Sequence, residues 1–297
     1  MTIVNPPNDG LYPELISLYR AIAYSGKIDM NAIIDLCTPG TQGYKNRLRG
    51  TLRRWTTLGL FELEEEQVQI SKRFIKKQKE SIDELTSRLP SVCRALVFEP
   101  SNCLPLWGES AGVAADFVRG AAWLLAQNSY NFPTTWENYA EDIHNEQFRK
   151  GEKLVENNAR WTGLRFWMRY LGFATGDNDS FQIDPTIAIK EELPLIFGNR
   201  FDLSANEFIM ALAFKLPVLD YGQYRQLVED ELNHTYWRQP EKVHLSISLS
   251  LALRRLALDN TIRLEGRADA GTSYRLTDRN YRTWLGFESV SWIGGQS

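Results

Sequence analysis

The sequence is poor in the residues that build metal centres and disulfide-bonded domains. Its 297 residues include three cysteines, Cys37, Cys93 and Cys103, and no two of them form a CxxC pair. No zinc-finger or iron–sulfur spacing can be assembled from them, and isolated thiols of this kind are typically buried in cytosolic proteins. Only three histidines are present, and the HExxH, GxSxG and Walker patterns are missing. We therefore predict a protein that is not an enzyme and that holds no metal and no cofactor.

Long apolar runs are missing as well. No stretch approaches the roughly 18 apolar residues that a membrane-spanning helix requires, and the opening MTIVNPPNDG lacks the basic and apolar segments of a signal peptide. We therefore expect a cytoplasmic protein without membrane contact. The net charge is -3 and the pI is about 5.8, so contact with nucleic acid would depend on local clusters of basic residues.

What the sequence does contain is one layout repeated three times. An apolar helix that carries arginines ends at a Gly or Asn, and two short apolar strands follow around a polar turn; the copies are residues 48–70, 164–183 and 249–276. This layout is the second half of a winged helix-turn-helix, and its repetition is typical of modular binding proteins. The predicted fold class is mainly α with small β-hairpins, arranged as three tandem winged helix-turn-helix units.

Helical periodicity before each copy completes the three units. The predicted segments are an N-terminal winged helix at 1–72, a basic helix and linker at 73–109, a middle winged helix at 110–198, a C-terminal winged helix at 199–278 and an aromatic C-terminal tail at 279–297. In the third unit, Ser204 with Glu207 predicts a capping box at the start of the first helix. Residues 221–232 and 245–258 are its second and third helices, and 262–264 with 274–276 its hairpin.

Positive charge is concentrated in the first unit. Ten basic and four acidic residues lie between positions 43 and 79, a local formal charge of +6. Arginines on the third helix of such a unit reach phosphates and guanine edges in the major groove. The nucleic-acid-binding candidates here are Lys45, Arg47, Arg49, Arg53, Arg54, Lys72, Arg73, Lys76 and Lys77, with Lys79 in the same run. The same charges also suit a solvated helix face or a protein-docking surface, and they do not distinguish DNA from RNA.

The hairpin turns distinguish the units from one another. Acidic residues at 64–66 in the first turn, and Asp177 and Asp179 in the second, would repel phosphates. The third unit has basic candidates on its third helix and in its hairpin, namely Arg254, Arg255, Arg263 and Arg267. The first unit's third helix and the third unit's hairpin are therefore the main nucleic-acid candidates, and the middle unit is interpreted as a spacer or docking module.

Two further features concern partners and metals. The aromatic residues of the tail, Tyr281, Trp284, Phe287 and Trp292, predict a segment that docks on a partner protein. His144 lies among acidic residues, which raises the question of a metal site. Because those residues do not converge on one point of a helix, a solvated acidic face is the preferred interpretation.

The opening IVNPP at residues 3–7, the winged-helix unit over 11–70 and the further units at about 110–186 and 202–278 together resemble the DpdG family. Its members are accessory proteins encoded in bacterial gene clusters that insert and police 7-deazapurine bases in DNA. The resemblance covers essentially the whole chain. It implies a role in phage defence beside helicase and nuclease subunits, with no catalytic residues to carry over.

The leading hypothesis is a non-enzymatic DNA-binding and assembly subunit of a bacterial anti-phage defence or DNA-processing complex. It would bind duplex DNA without sequence specificity and recruit helicase or nuclease subunits, and no small-molecule substrate is evident. One alternative is a protein–protein adaptor without DNA contact, and another is a winged-helix transcriptional regulator.

Overall fold

The structure is a computed structural model that describes residues 3–4, 12–38, 40, 42–75, 80–148, 154–177, 180–266 and 273–294. It is mainly helical with small antiparallel strand pairs, which confirms the predicted class at this level. The chain divides into two compact units, one of Met1–Phe117 with Glu156–Leu171 and the other of Val118–Val155 with Gly172–Ser297. Within the described ranges, no helix is long and apolar enough to cross a membrane.

The elements of the first part of the chain are α1 (Tyr12–Ser25), β1 (Ile28–Asp29), α2 (Met30–Leu36), α3 (Gln42–Thr57), β2 (Phe61–Glu64), β3 (Gln67–Ile70), a 3-10 turn (Lys72–Phe74), α4 (Ile82–Ser87), α5 (Leu89–Val97), α6 (Pro100–Cys103) and α7 (Ala115–Leu125). A π-helical turn (Trp136–Ala140), α8 (Glu141–Gln147) and α9 (Asn158–Tyr170) follow. The remaining elements are β4 (Ala174–Thr175), β5 (Gln182–Ile183), α10 (Thr186–Phe197), β6 (Asp202–Ser204), α11 (Ala205–Lys215), α12 (Gln223–Glu229), α13 (Ile247–Leu258), β7 (Ile262–Glu265), β8 (Tyr274–Thr277), β9 (Thr283–Phe287) and β10 (Ser289–Trp292).

In the first unit, the predicted hairpin is confirmed. β2 pairs with β3 in the register Phe61↔Ile70, and β1 adds to the other edge of β3, so the strand order is β1-β3-β2. Glu65 and Glu66 have φ values of 46° and 66°, the left-handed geometry of a two-residue hairpin turn. Asp29 ends β1 and starts α2, since its carboxylate accepts hydrogen bonds from two backbone amides at the helix start, both at 2.9 Å.

Helix α9 belongs to the first unit by its contacts. The Trp167 ring lies 5.5 Å from that of Trp55 on α3, and Tyr170 stacks on Tyr12 with 4.6 Å between ring centroids. The hairpin β4–β5 that follows α9 belongs to the second unit and has the predicted pairing. The predicted middle segment, residues 110–198, is thus divided between the two compact units. The domain boundaries drawn from the sequence remain a prediction.

The sheet of the second unit corrects two predictions. β10 lies between β6 and β7 and pairs with both. Val290 of β10 is therefore paired with Leu203 on one side and Leu264 on the other. β8 pairs instead with β9. The predicted pairing of 262–264 with 274–276 is therefore wrong. The prediction that residues 279–297 form a tail is wrong as well, because this segment contains β9 and the central strand β10.

Two segments of the chain share one order of elements. α1, β1 and α2 run in sequence before α3 and the hairpin, and α10, β6 and α11 run in the same sequence before α13 and β7. The sheet orders β1-β3-β2 and β6-β10-β7 also correspond. The predicted capping box is confirmed, because Ser204 Oγ accepts from the Glu207 amide at 3.2 Å and Glu207 accepts from the Ser204 amide at 2.9 Å. It starts α11, however, so the helix predicted to open this unit follows another helix and a strand.

Candidate nucleic-acid interface

The three helices predicted to face DNA differ in exposure. α3 exposes charged and polar residues along its length, including Asn46, Arg47 and Arg53. From Trp161 onward, α9 has no exposed residue, and α13 exposes only Arg254 and Leu258. A recognition helix must offer its side chains to the groove. Only α3 has a polar face available for this.

One row of basic side chains runs along α3. Lys45, Arg49 and Arg53 recur at every fourth position, which places them on one face of the helix over about 12 Å. We call these three residues the α3 basic row. Arg53 is exposed, while Lys45 and Arg49 are half-buried. The length of the row is comparable to the width of the DNA major groove, about 12 Å.

The row is only partly neutralised. Lys45 Nζ lies 2.6 Å from Asp35 Oδ1, and this hydrogen bond, aided by the charges of Lys45 and Arg49, holds the pKa of Asp35 below its usual range. Within the described ranges, Arg49 and Arg53 have no carboxylate within ion-pair distance. Two of the three cations therefore remain available to an anionic partner.

Other candidates on and near α3 have different roles. Arg54 is only 1% exposed, so its prediction as a DNA-facing residue is wrong. Arg47 lies 3.7 Å from Glu14 Oε1 and covers the ring of Tyr44.

The basic segment after β3 adds one free cation. Lys72 is exposed and, among the described residues, has no ion pair, whereas Arg73 pairs with Glu99. Lys76, Lys77 and Lys79 lie outside the described residues. The exposed Glu65 and Glu66 at the hairpin turn have the sign that repels phosphate.

The candidates of the C-terminal unit are largely engaged within the protein. Arg255 pairs with the buried carboxylate of Asp184, and Arg254 lies over the Trp284 ring at 5.1 Å. Arg263 is exposed, 3.6 Å from Glu265. Arg267 lies outside the described residues. Because α13 is buried over most of its length, these arginines do not form a second basic row.

The predicted docking aromatics also have separate environments. Phe287 is fully buried, and the half-buried Trp292 packs against Phe197 with 5.7 Å between ring centroids. Only Tyr281 and Trp284, 43% and 47% exposed, lie at the surface. The prediction that Phe287 docks a partner is therefore wrong.

His144 is a core residue. It is 2% exposed, and its Nε2 accepts a hydrogen bond from the Leu154 amide at 3.1 Å. The neighbouring Asp142 and Glu146 are exposed, as a solvated acidic face predicts, but His144 is not part of that face. In the part of the chain that the structure describes, no group of three or more His, Cys, Asp or Glu residues is arranged to hold a metal ion. Cys93 and Cys103 are buried as predicted, whereas Cys37 is only half-buried. Burial raises the pKa of the Cys93 thiol.

Comparison with known proteins identifies a family. The family model described as DpdG-like matches residues 1–270, which confirms the resemblance drawn from the sequence. No curated protein and no solved structure matches the chain.

Proposed function

Because the chain belongs to the DpdG-like family, we propose that it is a non-enzymatic DNA-binding and assembly subunit of a bacterial anti-phage defence complex. The family suggests an accessory protein of a DNA-modification cluster. In this proposal the chain binds duplex DNA without sequence specificity and recruits a helicase or nuclease subunit.

The proposal interprets two segments as winged helices. In the first, α1-β1-α2-α3-β2-β3 with strand order β1-β3-β2 is the element order of a winged helix-turn-helix, with α3 as the helix that faces DNA. In the second, α10, β6, α11, α13, β7 and β10 follow the same order, and the β8–β9 hairpin is an extended wing. The part of the chain between these two segments contains the helices α7, α8 and α9 and the β4–β5 hairpin.

The single observation that carries DNA binding is the α3 basic row. It gives the chain a local positive surface even though the net charge is -3. Point charges at regular spacing contact phosphates and need not distinguish bases, so binding without sequence specificity follows. The acidic turn at Glu65 and Glu66 disfavours insertion of this hairpin into a groove.

The test reverses the charge of the row while leaving the core intact. Arg49→Glu with Arg53→Glu changes the net charge from -3 to -7. Lys190→Glu with Lys242→Glu makes the same change at exposed positions of α10 and of the segment before α13. Arg54 stays unchanged because it is buried.

Duplex binding is measured against salt concentration for both variants. Three phosphate contacts predict a log–log slope of about -2.7, and losing two of them reduces its magnitude by about 1.8. We expect the α3 variant to lose affinity and the control to keep it. Equal affinity and slope for the α3 variant and the wild type would refute DNA binding through this helix.

An adaptor without DNA contact is the second candidate, and exposed apolar side chains favour it. Leu195 on α10 is 65% exposed, and Met210 and Phe214 on α11 are 48% and 81% exposed. Large apolar groups at a surface are typical of protein-docking sites. Copurification of a partner that survives nuclease and high salt, together with no gel shift by the isolated chain, would favour the adaptor.

A further inference from the structure

A cavity in the second unit is lined by cationic and aromatic side chains that the DNA proposal does not use. It has a volume of about 430 Å³ and lies between residues 238–247 and 277–283, next to the start of α13. This volume is within the range of small-molecule sites, about 300–1,000 Å³. Arg238, Tyr281 and Arg282 are among the residues that line it, and Ala126, Pro240 and Leu245 supply apolar surface.

The charge of the cavity favours an anion. Among the described residues, neither Arg238 nor Arg282 has an ion pair. The one carboxylate in the lining, Glu241, lies 3.5 Å from His244 Nδ1. Guanidinium groups bind phosphate oxygens through paired, charge-assisted hydrogen bonds.

An aromatic ring stands beside these cations. The Arg238 guanidinium lies 5.0 Å from the centroid of the Tyr281 ring, which remains 43% exposed. Tyr281 has a φ of 61°, in the left-handed region that non-glycine residues rarely adopt. Such backbone strain recurs at ligand sites, where it fixes a side chain in place.

Hydrogen bonds with neighbouring residues fix the segments that line the cavity. Asn128 Nδ2 donates to the Arg279 carbonyl at 3.0 Å, and Trp237 Nε1 donates to the Ala126 carbonyl at 3.1 Å. The Asp278 carboxylate accepts from the backbone amides of Asn280 and Arg282 at 2.8 and 2.9 Å. A preformed cavity costs little to order when a ligand enters.

We propose that this cavity binds a nucleoside phosphate, with the phosphate held by Arg238 and Arg282 and the base against Tyr281 and the apolar wall. The shared chemistry is one nucleotide unit, supplied either as a free nucleotide or as the 5′-phosphorylated end of a DNA strand. This site is independent of the α3 basic row and gives the second unit a ligand of its own.

Isothermal titration of the full chain tests the proposal with dGMP, deoxyguanosine and inorganic phosphate as probes. Arg238→Gln with Arg282→Gln removes both cations, and Arg263→Gln with Arg275→Gln removes two exposed arginines outside the cavity. We expect dGMP to bind at least about tenfold more tightly than either fragment. The cavity variant should lose about tenfold or more in affinity, while the control keeps it. Circular dichroism checks that each variant is folded.

Two further arms identify the source and separate this site from the DNA surface. Oligonucleotides with a 5′-phosphate or a 5′-hydroxyl distinguish a strand end from a free nucleotide, because only the strand-end source predicts tighter binding of the phosphorylated form. The Arg49→Glu/Arg53→Glu variant should bind dGMP as the wild type does. No binding of dGMP or of the phosphorylated strand at about 5 mM overturns the proposal. Unchanged binding by the cavity variant, or equal binding of phosphate and dGMP, overturns it as well.

Discussion

Phe287 and Trp284 lie on the same strand, β9, and differ in how far the fold buries them. Phe287 is 0% exposed and its ring lies 6.3 Å from that of Tyr274, whereas Trp284 is 47% exposed. If both side chains served only to dock a partner, replacing either with alanine would leave stability nearly unchanged. The structure predicts different outcomes for the two substitutions.

Phe287→Ala should lower the free energy of unfolding by about 3–5 kcal/mol, the sum of the lost transfer of the ring and the cavity that remains. This is a large part of the roughly 5–15 kcal/mol that stabilises a folded protein. Trp284→Ala should cost only about 0.5–1 kcal/mol, the value of an exposed cation–π contact such as the one with Arg254.

Urea denaturation followed by far-UV circular dichroism measures both losses, with the two compact units fitted as separate transitions if they resolve. The loss from Phe287→Ala should appear in the transition of the second unit. A Phe287→Ala protein as stable as the Trp284→Ala protein would refute the assignment of Phe287 to the core. It would restore the interpretation of this segment as a docking tail.

Two further predictions concern local geometry. Ser204→Ala should destabilise the second unit by about 1 kcal/mol at neutral pH. The Ser204 hydroxyl, the Ser204 amide and Arg200 lower the pKa of Glu207 from its ordinary 4.5 to about 2, so the stability from ionised Glu207 is present above pH 4.5 and is lost as the pH falls toward 2. The stability gap between wild type and variant should therefore narrow at pH 3, and urea curves showing the same gap at pH 7 and pH 3 would contradict this. Glu65→Asn with Glu66→Gly should stabilise the first hairpin by about 1 kcal/mol, because both positions have positive φ. The same change should strengthen DNA binding by removing two negative charges, and a lower melting temperature would count against the turn assignment.

Local signals in the sequence predicted where the three arginine-bearing helices end. Gly59, Gly172 and Asn260 end the three helices as expected, with φ values of 92°, 80° and 53°. At Gly172 an added Cβ would lie 2.8 Å from the Ala188 amide nitrogen, so the position needs glycine for space as well as for φ. These features depend on a few neighbouring residues, which is why sequence patterns reveal them.

The buried Arg54 shows that the charge of a residue does not by itself predict its exposure. Arg54 is three residues after Thr51 and four before Leu58, and both of those side chains are 1% exposed. Helical spacing therefore places Arg54 on the inward face of α3. An arginine can be buried when its stem packs and its head finds partners, so residue type alone does not decide exposure.

The sequence by itself determined the arginine-bearing helices α3, α9 and α13, the residues that end them, the first two hairpins and the spacing of Lys45, Arg49 and Arg53. Each of these follows from the periodicity or turn chemistry of a short stretch. Only the tertiary structure decided that β10 lies between β6 and β7, because strand partners such as Val290 and Leu203 are distant in the chain and many short apolar segments can pair equally well. Only the tertiary structure showed, too, that α9 and α13 are mostly buried while α3 keeps an exposed basic row. Burial depends on which surfaces the rest of the fold brings against a helix.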